Sequence, residues 1–185
     1  KDVSGLTAAL KAKAGKATYG WATTVGLAAS VVYTQKEKIE ISPVGYKTTP
    51  SAVSDVIAGQ IDFAFADMPF ALSQEKQGKV KILAVTSAAR APGAEQVPTM
   101  DELGYKTSET TPLWAMWAPT GTPPEAVAKL SGWFNKIVAM PATREFLLPQ
   151  GASPVTGDAA MMKKKLEDAM VSWKQVADVA KIDPQ

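Results

Sequence analysis

The chain has 185 residues, 46% hydrophobic and 21% charged, a composition that folds into a packed globular unit rather than a disordered one. Lys+Arg of 20 against Asp+Glu of 18 leaves a net charge of +2, and Arg90 and Arg144 are the only arginines, so no nucleic-acid partner is expected. Cysteine and histidine are absent. Their absence excludes disulfides, Cys/His zinc sites, thiol nucleophiles and Ser-His-Asp triads together.

No stretch approaches the roughly 20 consecutive apolar residues of a membrane helix. The opening residues, Lys1-Asp2-Val3-Ser4-Gly5-Leu6, have no apolar signal segment and no Met, and read as the start of a processed or truncated chain. Leu6 and Leu10 give one helix face, ended by Gly15. A short strand over Ala17-Thr18-Tyr19-Gly20 leads through a Thr/Gly loop into a helix from about Leu27 to Gln35. The alternation from Ile39 to Val44 predicts a strand, followed by a helix over Ser51 to Ala58 with Gly59 placed to end it. The two clearest strand patterns are Ile61 to Asp67 and Lys79 to Thr86. Strands alternating with single helices predict an α/β fold with a doubly wound, mainly parallel sheet.

A Pro/Gly-rich stretch from Arg90 to Gly104 closes that unit, and Leu113 to Ala118 predicts one last apolar strand. Trp114 and Trp117 lie on opposite faces of such a strand, which places at least one in the core. Thr122-Pro123-Pro124-Glu125 matches a capping box with proline in the first turn. Three helices follow, over about Pro124 to Met140, Pro141 to Leu148 and Gly157 to Ala180, and no further strand. Trp133, Phe134, Ile137, Phe146, Leu147, Leu166 and Met170 recur at helical spacing and need a surface to pack on.

Three turns, two of them strand-to-helix junctions and one a strand end, are candidate sites. In the first, Tyr19 to Gly26, first-turn amides with the Thr23 and Thr24 hydroxyls suit a carboxylate or phosphate. The spacing matches neither a P-loop nor a dinucleotide fingerprint, and an ordinary threonine-capped helix start is the reading that the sequence by itself favours. The second runs from Tyr46 and Lys47 through Thr48 and Thr49, adding a positive charge; a capped turn with a solvated lysine is its plain alternative. The third places Asp67 at the C-terminal end of a strand, the edge where ligands collect in open α/β sheets. A shared ligand explains all three at once. No pair of carboxylates is spaced for hydrolysis, and neither a metal, a cofactor nor an enzymatic role is expected.

Taken in order, the motifs resemble the Bug-type, TctC-like solute receptors of tripartite tricarboxylate transporters. The matching blocks are Lys11 to Gly20, Tyr46-Lys47, Asp55 to Asp62, Gly78 to Ser87 with Arg90, Val97 to Gly104, Ala118 to Pro123, Gly151 to Val155 and Trp173 to Val176. The chain departs from the pattern at Ala14 and Gly45, which replace prolines, and in the shorter loop of Thr23, Thr24 and Gly26.

The resemblance implies a periplasmic binding protein that clamps a small organic carboxylate between two α/β domains and presents it to membrane transporter subunits. It implies that residues 1–112 form the family's second domain, 113–118 the crossing between domains, and 119–185 a helical segment belonging to a first domain whose strands precede Lys1. The residues expected at the ligand are Trp21, Thr23, Thr24, Val25 and Gly26, with Tyr46, Lys47, Thr48 and Asp67 as cleft partners. The rival expectation is a single-domain interaction module that forms a homodimer through exposed apolar surface.

Overall fold

The computed structural model describes residues 2–106, 114–150 and 152–180. Helix α1 (Val3–Ala12) is capped by Asp2, whose carboxylate accepts the Gly5 amide at 2.7 Å. Strand β1 (Ala17–Trp21) and helix α2 (Thr24–Lys36) follow, then β2 (Ile41–Gly45), α3 (Thr49–Ile57), a two-residue β3 (Phe63–Ala64) and α4 (Met68–Lys76). The sheet is parallel in the order β2-β1-β3, with Ala17 opposite Ile41 and Tyr19 opposite Phe63.

Alternation along β1 sends neighbouring residues to opposite faces of the sheet. On one face Tyr19 stacks on Phe63, and Tyr33 of α2 meets Phe63 edge-on with ring centroids 5.7 Å apart. Val3, Leu10, Ile39, Met100 and Tyr105 complete that core. The other face carries α3, and Gly20 is what lets it approach: a Cβ there would sit 2.6 Å from Ile61 Cδ1, 3.1 Å from the Tyr46 ring and 3.3 Å from Ala52 Cβ. With helices on both faces the sheet is doubly wound, as the α/β pattern predicts.

Several local expectations need correction. Helix α2 begins at Thr24, not Leu27, because Thr23 supplies the cap. Gly59 does follow α3, at φ +73, just past its C-cap Ala58. Within residues 61–67 only Phe63–Ala64 form a strand, with the Asp62 amide donating to the Thr18 carbonyl at 3.1 Å just before it, and Asp67 is the N-cap of α4, a helix with no strong amphipathic signature in the sequence. Residues 79–84 pair with no strand. The Ile82 amide donates instead to the Glu75 carboxylate at 2.8 Å, and ladder pairing is confined to one parallel bridge between Val85 and Thr99. An apolar run is thus buried against the core through Leu83 and Ala84 without making a strand.

The strand expected over 113–118 starts at Leu113, outside the described residues, and 114–118 form none. Trp114 is 85% exposed and Trp117 62% exposed, so neither tryptophan enters the core. The capping box does not form either: Thr122 Oγ1 donates to the Pro119 carbonyl at 2.8 Å, closing a turn, and Pro123 occupies the N-cap of α5 (Pro124–Val138) without a side-chain bond. Helix α6 (Pro141–Leu147), a 3-10 turn (Leu148–Gln150) and α7 (Ala159–Ala180) complete the chain. α7 lies against α2, and the 3-10 turn lies against α4. No helix among the described residues is long and apolar enough to cross a membrane.

Candidate functional site

In a parallel sheet each following helix starts at the strand's C-terminal end, so first-turn amides collect at one edge. Here α2, α3 and α4 follow β1, β2 and β3, and chain order reverses at β1, the central strand. The three junctions singled out in the sequence therefore share this edge.

The α2 junction is the richest in donors. Thr23 is extended, its Oγ1 accepts the Gly26 amide at 3.1 Å, and its carbonyl accepts the Leu27 amide at 3.0 Å. Between these lie the amides of Thr24 and Val25, which have no i−4 carbonyl inside the helix. Thr23 and Thr24 are exposed, Val25 is half-buried and Gly26 is buried. At α3, Thr48 caps the Ser51 amide at 3.4 Å and shares a hydroxyl contact with Ser51 Oγ at 2.8 Å. Pro50 removes one amide from that turn, and Pro69 does the same in α4. Of the three junctions, only α2 offers two adjacent first-turn amides ahead of its capped one.

Two contacts tie the junctions together. A Cβ on Gly26 would lie 3.3 Å from Phe65 Cβ, so the first turn of α2 rides against the chain leaving β3. The Thr49 hydroxyl, 6% exposed, donates to Asp67 Oδ2 at 3.0 Å, joining the starts of α3 and α4. Asp67 itself is exposed and occupies the N-cap of α4 without bonding its own helix.

The other expected site residues lie nearby with different commitments. The Trp21 ring rests against Gly45, where a Cβ would be 3.3 Å from Cζ2. Its carbonyl accepts the Tyr46 amide at 2.8 Å. The Tyr46 hydroxyl donates to Asp55 Oδ2 at 2.7 Å, and that carboxylate raises the phenol's pKa above its ordinary value. Tyr46 is thus turned onto α3. Lys47 is exposed and makes no ion pair among the described residues. Thr49 and Phe65 lie in turns the sequence singled out but not among the residues expected at the ligand; their contacts, Thr49 on Asp67 and Phe65 on Gly26, join elements distant in sequence and have no local signal.

Chemically the edge presents amides, hydroxyls, the Asp67 carboxylate and the exposed Lys47 ammonium. Among the described residues no group of three His, Cys, Asp or Glu is placed to hold a metal. Clefts of about 510 Å3, lined by Arg90, Glu95, Arg144 and Leu148 among others, and about 440 Å3, beside Val3 and Glu75, lie away from this edge. In the larger, Arg90 is already clamped by the Glu102 carboxylate and by the Glu95 carbonyl.

Comparison with known proteins bears on the family and the fold. BugT of Bordetella pertussis is 31% identical over 136 residues, covering 74% of this chain and 42% of BugT. A UPF0065 protein of Agrobacterium vitis is 32% identical over 162 residues, 86% of this chain and 47% of that one. The chain thus spans about half the length of these curated relatives. Among solved structures, the R. palustris protein Rpa4515, determined with adipate, superposes with a TM-score of 0.82 at 25% identity, over 100% of this chain and 62% of the other. The periplasmic binding protein BugD gives a TM-score of 0.79 at 29% identity, over 100% and 63%. The family model for the tripartite tricarboxylate transporter family receptor, TctC, matches residues 1–181, and the chain belongs to that family of periplasmic solute-binding receptors.

Proposed function

We propose that this chain captures a small organic carboxylate at the C-terminal edge of its sheet, as one wall of a two-walled clamp that delivers the ligand to membrane transporter subunits in the periplasm. The observation that carries the reading is the convergence of three helix starts at one edge, linked by Gly26 against Phe65 and Thr49 on Asp67. A carboxylate meeting the Thr24 and Val25 amides is favoured by the helix dipole and by the hydroxyls beside it. The adipate that accompanies R. palustris Rpa4515 belongs to the same ligand class. In this reading residues 1–112 form the ligand-bearing domain, 113–118 the crossing, and 119–185 a segment that packs against the second wall. Ligand binding would then close the two walls about that crossing.

A thermal-shift screen with mono-, di- and tricarboxylates tests it. An acid at about 100 times its dissociation constant stabilises the native state by about 2.7 kcal/mol, or roughly 5–10 °C in a domain of this size. A shift with one acid class, lost in Thr23→Val, is the expected result; a cooperative melt unmoved by every acid contradicts it.

A second reading is favoured by the exposed Trp114, Met116, Trp117, Trp133, Ile137 and Phe146: this surface joins two copies of the chain. A dimer whose population rises with concentration in analytical ultracentrifugation is expected from that reading, and a monomer throughout removes it.

A further inference from the structure

We propose that the cleft of about 440 Å3 beside the start of α1 is a second binding site, and that its ligand is a short apolar peptide held in extended form by the backbone of Leu83. The site is separate from the helix starts and independent of the carboxylate reading. It lies on the seam between the two apolar cores of the α/β unit: Val3 and Leu83 on its wall belong to the core beneath α1 and α2, Ile82 and Val97 to the core around Leu72 and Ala94. Pro98 and Leu103 complete an apolar lining, and Leu103 is 38% exposed.

The backbone on that wall is unfinished. Residues 80–84 run without a turn or bend into Val85, whose amide donates to the Pro98 carbonyl at 3.0 Å and whose carbonyl accepts the Met100 amide at 2.7 Å. In a parallel pair alternate residues bond the same neighbour. Leu83 therefore turns its amide and carbonyl to the same side as Val85, and Ile82 to the other, where its amide reaches the Glu75 carboxylate at 2.8 Å. The next rung of the ladder cannot form. Pro98 has no amide to give the Leu83 carbonyl, and the facing chain bends away in the turn that the Val97 amide closes on the Ala94 carbonyl at 2.9 Å. Leu83 is left with a donor and an acceptor, neither with a partner among the described residues, on the wall of an apolar cleft. A single residue of an added strand satisfies both at once, and its apolar neighbours fill the rest of the cleft. An apolar molecule without a peptide group would instead strip both groups of water and leave them unpaired.

Amide NMR titrations of the 185-residue chain with the blocked tripeptide acetyl-Leu-Val-Leu-amide test this, its capped ends keeping carboxylate chemistry out of the readout. Saturable shifts at Lys81 to Leu83, Val97 and Leu103 are expected, with none from acetyl-Gly-Ser-Gly-amide. Methylating the backbone nitrogens of the apolar peptide removes its donors and is expected to weaken binding about tenfold or more. Pro98→Ala supplies an amide that competes for the Leu83 carbonyl while keeping the carbonyl that Val85 uses, and is expected to weaken binding about fivefold without loss of stability. Leu103→Glu places a charge in the apolar wall at a position already open to water, and is expected to abolish binding in a folded chain. Absence of saturable shifts at Lys81 to Leu83, equal affinity for the methylated peptide, or undiminished binding by folded Pro98→Ala or Leu103→Glu chains overturns the proposal. Carboxylate binding at the helix starts stands or falls separately.

Discussion

Gly20 sits where three side chains from different elements meet. A Cβ there would fall 2.6 Å from Ile61 Cδ1, 3.1 Å from the ring of Tyr46 and 3.3 Å from Ala52 Cβ, so Gly20→Ala must move the Ile61 side chain and crowd Tyr46 and Ala52. Overpacking of this kind costs about 1–3 kcal/mol, and a denaturant midpoint lowered by that amount is the expected outcome; an unchanged midpoint would mean that α3 packs less closely than described. Gly26 is tight in a different way. A methyl group there presses on Phe65 and on the Thr23 hydroxyl at 3.3 Å each, both parts of the candidate site. Gly26→Ala is therefore expected to weaken carboxylate binding by about tenfold with a stability loss of about 1 kcal/mol, separable by comparing titrations with melting curves.

Among the elements, α2 is anchored at both ends, and its C-terminal anchor is sensitive to pH. Glu37, just past the helix, accepts the Tyr105 hydroxyl at 2.8 Å and pairs with Lys11 at 3.1 Å. The Tyr105 bond, then the Lys11 bond, hold the carboxyl below its ordinary range. Burial, then the Glu37 bond, pushes the Tyr105 phenol up to about 12 from 10.0. A lowered carboxyl contributes stability above its unfolded pKa and loses it as pH falls through the folded value; a raised phenol contributes below 10.0 and loses it as pH rises toward about 12. Melting temperature is expected to fall at both limits, with Glu37→Gln flattening the acid limb and Tyr105→Phe the alkaline one. The sequence disclosed α1 and α3 because a periodic face is a local signal, and α2, which has no such face, through the Thr/Gly turn ahead of it. It did not disclose α4, whose start is hidden in an apolar run, or the fate of residues 79–84, whose hydrophobicity reports burial and not pairing. The site was legible in the same proportion. Thr23 and Thr48 announce themselves as caps, whereas the bond from Thr49 to Asp67 spans 18 residues and exists only once the sheet has brought two helix starts together.

Across the whole molecule, the N-terminal α/β unit owns a core while the C-terminal helices present theirs outward. Helix α5 has no buried residue, and Trp133 and Ile137 are each about half exposed. Apolar surface of this extent marks a face suited to packing against another apolar surface. The carboxylate site at the C-terminal edge of the sheet is tested most directly by mapping where a carboxylate lands. Backbone amide shifts should be followed through a titration with adipate, the acid that accompanies the R. palustris neighbour. Saturable shifts concentrated at Thr23 to Gly26, with smaller ones at Thr48, Thr49 and Asp67, are the expected result. Shifts concentrated around Arg90 and Arg144, or none at the three helix starts, would contradict it.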